Sequence, residues 1–342
     1  MFCGVIEGFY GRPWSWGDRR TMLDFLACNH FSHYCYAPKA DGWLRNNWQL
    51  PWPADMFAHL QALSDHAAER GLTFGIGISP LSLLQNEAGE LTLLEKKLQQ
   101  IALLKPGFIA VLFDDIRGDK PQLAEKQSRI LHFVRSQLPD THLLMCPTYY
   151  SHDPVLTELF GAMPQDYWQI LGQSLPDTVE ILWTGDKVIS SEYPAQSLQD
   201  IAASLQRKPV IWDNSCVNDG RKSSPFLPVR AMFNLKAIEP FVNGVLVNPM
   251  NQPHLARLVL KTLTLSGNAE QRLSQALSQE VPELKTAIEN CLPLMRDKGL
   301  EKLDSRERKS IEANFAHSNA AVAREIRAWL AGDYRFDPDC LT

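Results

Sequence analysis

Short apolar runs alternate with longer segments of helical periodicity along most of this chain. Eight runs are rich in β-branched, aliphatic and aromatic residues, and a helix-like segment follows each of them. Nearly continuous apolar strands joined through helices indicate a parallel sheet covered on both faces. The runs are Cys3–Ile6, Phe31–Tyr36, Leu72–Ile78, Phe108–Phe113, His142–Cys146, Val179–Trp183, Pro209–Trp212 and Gly244–Val247.

The number of these units favours a closed barrel. Eight strand–helix units in about 265 residues are what a (β/α)8 barrel requires. An open, doubly wound sheet is the alternative, but it usually carries a glycine-rich phosphate turn after its first strand, and Gly8-Phe9-Tyr10-Gly11 does not fit that fingerprint. We therefore expect an α/β fold with a (β/α)8 TIM barrel over residues 1–266. The clearest helical segments are Asp18–Ala27, Ala58–Glu69, Leu91–Leu104, Lys120–Leu138, Ser197–Leu205 and Pro253–Leu265.

The pattern changes after Ser266-Gly267-Asn268, where strand-like runs stop. Asn268 can cap a helix towards Glu280, Pro282 can begin a second helix, and Ser305 can cap a third that ends near Gly332. We expect a C-terminal all-helical region over residues 267–342. A small helical cap packed on the barrel is one interpretation, and a helical arm that forms a homodimer is the other.

Composition excludes several classes of protein. Among 342 residues, 34 are Lys or Arg and 39 are Asp or Glu, a formal net charge of −5, so the chain lacks the basic surface that a nucleic-acid-binding protein needs. No apolar run approaches the ~18–20 residues of a membrane span, and no export signal is visible. The seven cysteines form no Cys-x-x-Cys pair, which favours reduced thiols in a cytoplasmic protein.

Aromatic, amide and charged side chains follow the predicted strands, where a barrel of this kind places its chemistry. Aromatic rings stack on the C–H face of a pyranose, while Asp, Asn and Lys bind its hydroxyls, so this mixture is typical of a sugar site. The segments are Glu7–Trp14, Tyr36–Asp41, Phe113–Ile116, Cys146–Tyr150, Trp183–Gly185, Trp212–Asn214, Asn218–Asp219 and Asn248–Asn251.

Asp114 and Asp115 are the most informative pair. Adjacent carboxylates after an apolar strand do not both ionise at the same pH, so one can stay charged and orient a substrate N–H while the other carries a proton for a leaving group. An ordinary acidic loop is one alternative. A divalent-metal site is another, but no His-x-His or His-Glu-x-x-His accompanies the pair. We expect neither a metal nor a cofactor.

Seven motifs in register resemble glycoside hydrolase family 84, which comprises protein O-GlcNAcases and related bacterial β-N-acetylglucosaminidases and hyaluronidases. The resemblance covers roughly residues 3–265. The motifs are Gly4–Trp14 (GVIEGFYGRPW), Tyr36–Lys39 (YAPK), Leu112–Ile116 (LFDDI), Cys146–Tyr150 (CPTYY), Trp183–Gly185 (WTG), Val210–Asn214 (VIWDN) and Asn248-Pro249.

The resemblance implies hydrolysis of terminal β-linked GlcNAc with retention, in which the 2-acetamido carbonyl of the substrate attacks the anomeric carbon and forms an oxazoline. Such substrate assistance departs from the usual scheme with two catalytic carboxylates. By position in the motif, Asp114 would orient the acetamide N–H, and Asp115 would act first as general acid and then as general base. The expected partner is thus a GlcNAc-containing glycoconjugate.

The same motifs imply the substrate-binding residues. Gly8 would offer its carbonyl to a sugar hydroxyl, and Lys39 would donate to ring hydroxyls or to an acidic partner. Tyr150 would hydrogen-bond the forming oxazoline. Trp212, with Cys146 beside it, would surround the acetyl methyl group. Hydroxyls would be bound by Asn214, Asp219 and Asn248, with Asp219 at the far edge of the sugar.

This sequence departs from the family pattern near the site. After Tyr36–Lys39 the family often has a second acidic residue followed by a His-Arg pair; Ala40 and Leu44 break that pattern, while Asp41, Arg45 and Trp48 remain. Arg117 stands where an acidic residue is common, and Gly220 replaces a residue that is often aromatic. The change at Gly220 should open one side of the pocket rim. A GlcNAc-binding barrel without turnover is the second hypothesis. The intact aspartate pair argues against it, because a binding protein does not need an acid/base carboxylate.

Overall fold

A closed barrel of parallel strands forms the centre of the computed structural model, which describes residues 1–84, 87–114, 116–334 and 336–340. Each strand pairs with the next and β8 pairs with β1, so Val5 lies opposite Tyr34 on one side and Val247 on the other. All eight predicted strands are confirmed, with ends within two residues of the expected positions. They are β1 (Phe2–Glu7), β2 (His33–Tyr36), β3 (Thr73–Ile78), β4 (Phe108–Leu112), β5 (His142–Cys146), β6 (Val179–Trp183), β7 (Val210–Asp213) and β8 (Gly244–Val247).

The strands are buried on both faces, as their apolar sequences predict. Every residue of β4, β7 and β8 is buried. Such strands cannot face water on either side, and helices follow them along the chain. The architecture is the (β/α)8 TIM barrel expected from the sequence, with a C-terminal all-helical extension.

Helices alternate with the strands and then continue alone. The six helical segments predicted within the barrel are confirmed, with ends within four residues of the expected positions. None of the helices in the described part of the chain has the length and apolarity needed to cross a membrane. The helices are α1 (Trp16–Cys28), α2 (Ala54–Glu69), α3 (Glu87–Leu103), α4 (Leu123–Gln137), α5 (Val155–Phe160), α6 (Tyr167–Ser174), α7 (Ala195–Leu205), α8 (Leu235–Ile238), α9 (Pro253–Lys261), α10 (Ala269–Glu280), α11 (Lys285–Leu292), α12 (Ser305–Phe315) and α13 (Ala321–Ala331).

Asn268 caps α10 as predicted, in a reciprocal arrangement with Gln271. Three other details predicted for the helical extension were wrong. The second helix begins at Lys285 rather than at Pro282. The segment from Ser305 to Gly332 forms two helices, because the helical conformation is interrupted between Phe315 and Ala321. The N-cap of the first of these helices is Asp304 rather than Ser305.

The described chain divides into two compact units. The first unit comprises residues 1–8, 31–214 and 236–247 and contains all eight strands with helices α2 to α7. The second comprises residues 9–30, 215–235 and 248–342 and contains α1, α9 and helices α10 to α13. The domain boundary expected between residues 266 and 267 stays a prediction.

Within the second unit, a buried carboxylate joins α13 to α9. Glu325 is 6% exposed, and its two oxygens accept from the backbone N–H groups of His254 at 2.9 Å and Leu255 at 2.8 Å. These amides belong to the first turn of α9 and have no partner inside that helix. Glu325 therefore supplies, from α13, the acceptors that the start of α9 needs.

A half-buried histidine stands at the start of β2 between two aromatic rings. The His33 ring lies between Phe2 and Phe108, with ring centroids at 4.3 and 5.6 Å, and its Nδ1 is 2.8 Å from Ser32 Oγ. Burial lowers the pKa of His33 from the ordinary 6.5 to about 4, and the nearby His142 adds to the effect. As the pH falls below 6.5, this histidine is therefore protonated in the unfolded chain at a higher pH than in the folded chain, and this difference lowers the stability of the folded state.

We expect stability to fall as the pH drops from 6.5 to 4, with part of that loss due to His33. The variant His33→Gln should show a flatter dependence of the free energy of unfolding on pH in this window, measured by urea denaturation. The exposed His59→Gln is the control and should match the wild type. An equally steep decline in His33→Gln would contradict the assignment.

Candidate active site

An ion pair joins the residues that follow β2 and β4. Lys39 Nζ donates to Asp114 Oδ2 at 2.5 Å, and the two residues are only 7% and 9% exposed. Because the strands are parallel, β2 and β4 deliver these side chains at the same end of the barrel. The buried ammonium compensates the charge of the Asp114 carboxylate, which is itself largely buried. Asp115, the second member of the predicted pair, lies outside the described residues.

Asp41 fixes the loop that carries Lys39. It is 5% exposed, and its Oδ2 accepts from Tyr36 OH at 3.0 Å and from Trp52 Nε1 at 3.1 Å, while Oδ1 accepts from Trp43 N at 2.9 Å. Three donors from three points along the chain thus converge on one carboxylate. Lys39 lies between Tyr36 and Asp41 in sequence, so these bonds hold both sides of its loop.

A second buried lysine lies behind this loop. Lys97 of α3 is 2% exposed, and its Nζ lies 4.3 Å from the centre of the Trp52 ring, a cation–π distance. Burial lowers the pKa of Lys97 to about 8, and Asp41 opposes this change. Burial likewise raises the pKa of Asp41, while its hydrogen bonds and the charge of Lys97 lower that pKa by a smaller amount. The two charges offset each other where either alone would be costly.

Gly8, Trp212 and Asn214 form a second group at this end of the barrel. A Cβ on Gly8 would lie 2.5 Å from Trp212 Cζ2, so only glycine leaves room for the indole at this position. Trp212 Nε1 donates to Asn214 Oδ1 at 2.9 Å, and Asn214 Nδ2 donates to the Val188 carbonyl at 3.0 Å. These contacts fix the plane of the Trp212 ring, which is 4% exposed.

The end of β5 contributes Cys146 and Tyr150, both buried. The adjacent Tyr149 contacts a different part of the chain, since its hydroxyl donates to the Gly161 carbonyl at 2.7 Å. The Tyr150 carbonyl accepts from Thr184 N at 2.9 Å, which ties its backbone to the segment after β6. Tyr150 is therefore the tyrosine of this pair that remains a candidate for substrate binding.

Asp219 and Asn248 lie in the second unit. Asp219 is 8% exposed, and its Oδ2 accepts from Tyr10 N at 2.7 Å. Asn248 is 5% exposed, and its carbonyl accepts from Cys216 Sγ at 3.6 Å. Asn251 Nδ2 donates to the Tyr10 carbonyl at 2.8 Å. The backbone of Tyr10 is therefore held from both sides, by Asp219 and by Asn251.

Sequence reasoning missed the structural importance of Asp41, Lys97 and Tyr10. Asp41 carried a signal, because it remains where neighbouring family positions have changed. Lys97 carried none, since it lies on an amphipathic helix among other charged residues. Among the described residues, no cluster of three His, Cys, Asp or Glu side chains could hold a metal ion.

We expect Asp41→Ala to destabilise the protein by at least about 3 kcal/mol, because it leaves three donors without their acceptor and Lys97 without its counter-charge. Urea denaturation would measure the change. Asp140→Ala, at an exposed position, should change stability by no more than about 0.5 kcal/mol. Similar values for the two variants would show that the Asp41 network contributes little.

Comparison with known proteins gives consistent matches. The model of the β-N-acetylglucosaminidase family matches residues 3–292. The protein O-GlcNAcases of Rattus norvegicus and Mus musculus are each 34% identical over 261 residues, which cover 73% of this chain and 28% of those proteins. The chain thus spans less than a third of the length of these relatives.

A solved structure extends the similarity to nearly the whole chain. A mutant of the Thermobaculum terrenum O-GlcNAc hydrolase superposes with a TM-score of 0.81 at 28% sequence identity, covering 97% of this chain and 81% of the other. The family match, over residues 3–292, includes all eight strands of the barrel and the predicted motifs. This chain belongs to the β-N-acetylglucosaminidase family, glycoside hydrolase family 84.

Proposed function

We propose that this protein is a retaining exo-β-N-acetylglucosaminidase of the O-GlcNAcase type, which removes terminal β-linked GlcNAc by substrate-assisted catalysis. The observation that carries the proposal is the buried Lys39–Asp114 pair after β2 and β4, with Asp115 next in sequence. Membership of a family of glycoside hydrolases supports the same reaction.

In this mechanism Asp114 accepts a hydrogen bond from the acetamide N–H of the substrate. That bond orients the acetamide and increases the electron density on its carbonyl oxygen, which attacks the anomeric carbon as the glycosidic bond breaks. The charge of Lys39, 2.5 Å from Asp114 Oδ2, supports an ionised carboxylate in this role. The nucleophile comes from the sugar, so no covalent bond forms to the protein.

Asp115 completes the proposed reaction. It gives a proton to the leaving oxygen while the oxazoline forms, and then removes a proton from the water that opens the oxazoline. The second attack restores the original configuration at the anomeric carbon, which accounts for retention. One carboxylate serves both steps because the same oxygen position is occupied first by the aglycone and then by water.

The remaining residues bind the sugar. Trp212 and Cys146 surround the acetyl methyl group, and Tyr150 hydrogen-bonds the oxazoline. Gly8 contributes its carbonyl, while Asn214, Asp219 and Asn248 bind hydroxyls. Support comes from burial, since each of these residues is less than a tenth exposed. The proposal includes a cytoplasmic location, and a homodimer through the C-terminal helices stays the alternative to a small helical cap.

Variants of the two aspartates test the division of roles. Asp115→Asn should lower turnover by about 10²–10⁴-fold on glycosides with poor leaving groups and much less on activated aryl glycosides, which need no proton. Asp114→Asn should lower both, because it impairs formation of the nucleophile. Asp119→Asn is a control with an exposed carboxylate in the same loop. Equal losses on both substrates in both variants would overturn the roles assigned here.

An aryl β-GlcNAc assay tests the function itself, because a binding protein without turnover would release no aryl alcohol. A methyl thiazoline that mimics the oxazoline should inhibit the reaction competitively. Failure to inhibit at millimolar concentration would contradict substrate assistance. A panel of glycopeptide, chitobiose and a muropeptide analogue would then identify the preferred aglycone.

A further inference from the structure

The chain between Pro38 and Asp41 forms a tight turn that carries Lys39. The Pro38 carbonyl accepts from Asp41 N at 2.9 Å, which closes the turn with Lys39 and Ala40 at its two central positions. The Lys39 ammonium extends from this turn to Asp114 Oδ2. The position of Lys39 relative to Asp114 therefore depends on how Asp41 is held, because the backbone of Asp41 closes the turn.

Trp52 links the Asp41 carboxylate to α3. Its indole Nε1 donates to Asp41 Oδ2 at 3.1 Å. Its backbone N–H donates to Gln100 Oε1 at 3.0 Å, and its carbonyl accepts from Gln100 Nε2 at 3.4 Å. The Lys97 ammonium lies 4.3 Å from the centre of the same indole ring. Since Lys97 and Gln100 are three residues apart on α3, one face of this helix holds both the backbone and the ring of Trp52.

The Lys97 ammonium occupies a position where packing alone would favour an apolar side chain. Lys97 is almost completely buried, and its Nζ makes no hydrogen bond to any of the residues that the structure describes. Removal of such an ammonium from water is costly, and a methionine of similar length would avoid that cost. The compensating attractions come from the face of the Trp52 ring and from the charge of Asp41. The charge of Lys97 thus acts on the two residues that hold the turn.

The charge of Lys97 strengthens the hydrogen bonds that Asp41 accepts. It favours the ionised form of Asp41, whereas burial raises the pKa of this carboxyl. An ionised carboxylate accepts more strongly than a neutral acid does, and Asp41 has donors in Tyr36, Trp43 and Trp52. Loss of the charge of Lys97 would therefore weaken the bonds that fix one side of the turn.

We propose that Lys97 is a positioning residue for the reaction. Its charge acts through Trp52 and Asp41 and fixes the turn that presents Lys39 to the Asp114 carboxylate. This inference rests on the proposed function, in which Asp114 must be ionised and correctly placed to orient the acetamide of the substrate. A residue on the outer layer of the barrel would then help to set the geometry at its mouth.

The proposal implies a loss of activity in alkali. Burial lowers the pKa of Lys97 to about 8. Among the described residues, Asp41 is the ionisable group whose charge acts on Lys97, and it opposes this change. As the pH rises through about 8, Lys97 loses its proton and the turn loses the charge that holds it. An arginine at this position would keep its charge throughout this range.

Substitutions of Lys97 test the role of its charge. Lys97→Met keeps most of the side-chain volume but not the charge, so kcat/KM on an activated aryl β-GlcNAc at about pH 7 should fall about tenfold or more. Lys97→Arg should stay within about threefold of the wild type. Lys96→Met, at an exposed position of the same helix, is the control and should match the wild type. Equal values for Lys97→Met and Lys96→Met, or equal losses in Lys97→Met and Lys97→Arg, would overturn the proposal.

A pH profile separates positioning from folding. The activated glycoside needs no proton from Asp115, so on this substrate the kcat/KM of the wild type should fall as the pH rises through about 8, while the circular dichroism spectrum stays unchanged. In Lys97→Arg the fall should move upward by about one pH unit or more. Coincident profiles of these two proteins would overturn the proposal, even if Lys97→Met does not fold. Absence of turnover in the wild type would instead mean that the proposed function had failed.

Discussion

Closure of the sheet is the constraint on which the site depends. Since β8 pairs with β1 and all strands are parallel, every strand ends at the same mouth of the barrel. Residues that are distant in sequence, such as Lys39 and Asp114, can then form an ion pair because each lies within three residues of the end of its strand. The tight register leaves little room near the mouth, which is why Gly8 must lack a side chain beside Trp212.

Charged side chains are buried at this end of the barrel, and their removal from water opposes folding unless each is paired. Lys39 and Asp114 compensate each other, and a second set of charges, Asp41 and Lys97, holds the loop from behind. Each charge is largely removed from water, so the loss of one partner would leave the other unsupported. In the proposed reaction, this arrangement would hold the Asp114 carboxylate in position before substrate binds, which is the preorganisation that electrostatic catalysis requires.

The sequence predicts the barrel well because each strand carries its own apolar pattern, which does not depend on distant residues. The break between α12 and α13 escaped prediction, since Ile311, Phe315, Val322 and Ile326 keep helical spacing across it. At the site, local motifs pointed to Asp114 and Lys39. They could not reveal Lys97, because its contact with the Trp52 ring joins two segments that share no sequence pattern.

The carboxylate of Glu325 bears on how the molecule can be divided for experiments. A recombinant fragment ending at Ser266 would retain every strand and would look complete by its motifs. It would also lose the acceptors for the first amides of α9 and cut through the unit to which α1 and α9 belong. A fragment that ends before α13 should therefore be less stable than one that includes Glu325, because the first amides of α9 would lack these acceptors.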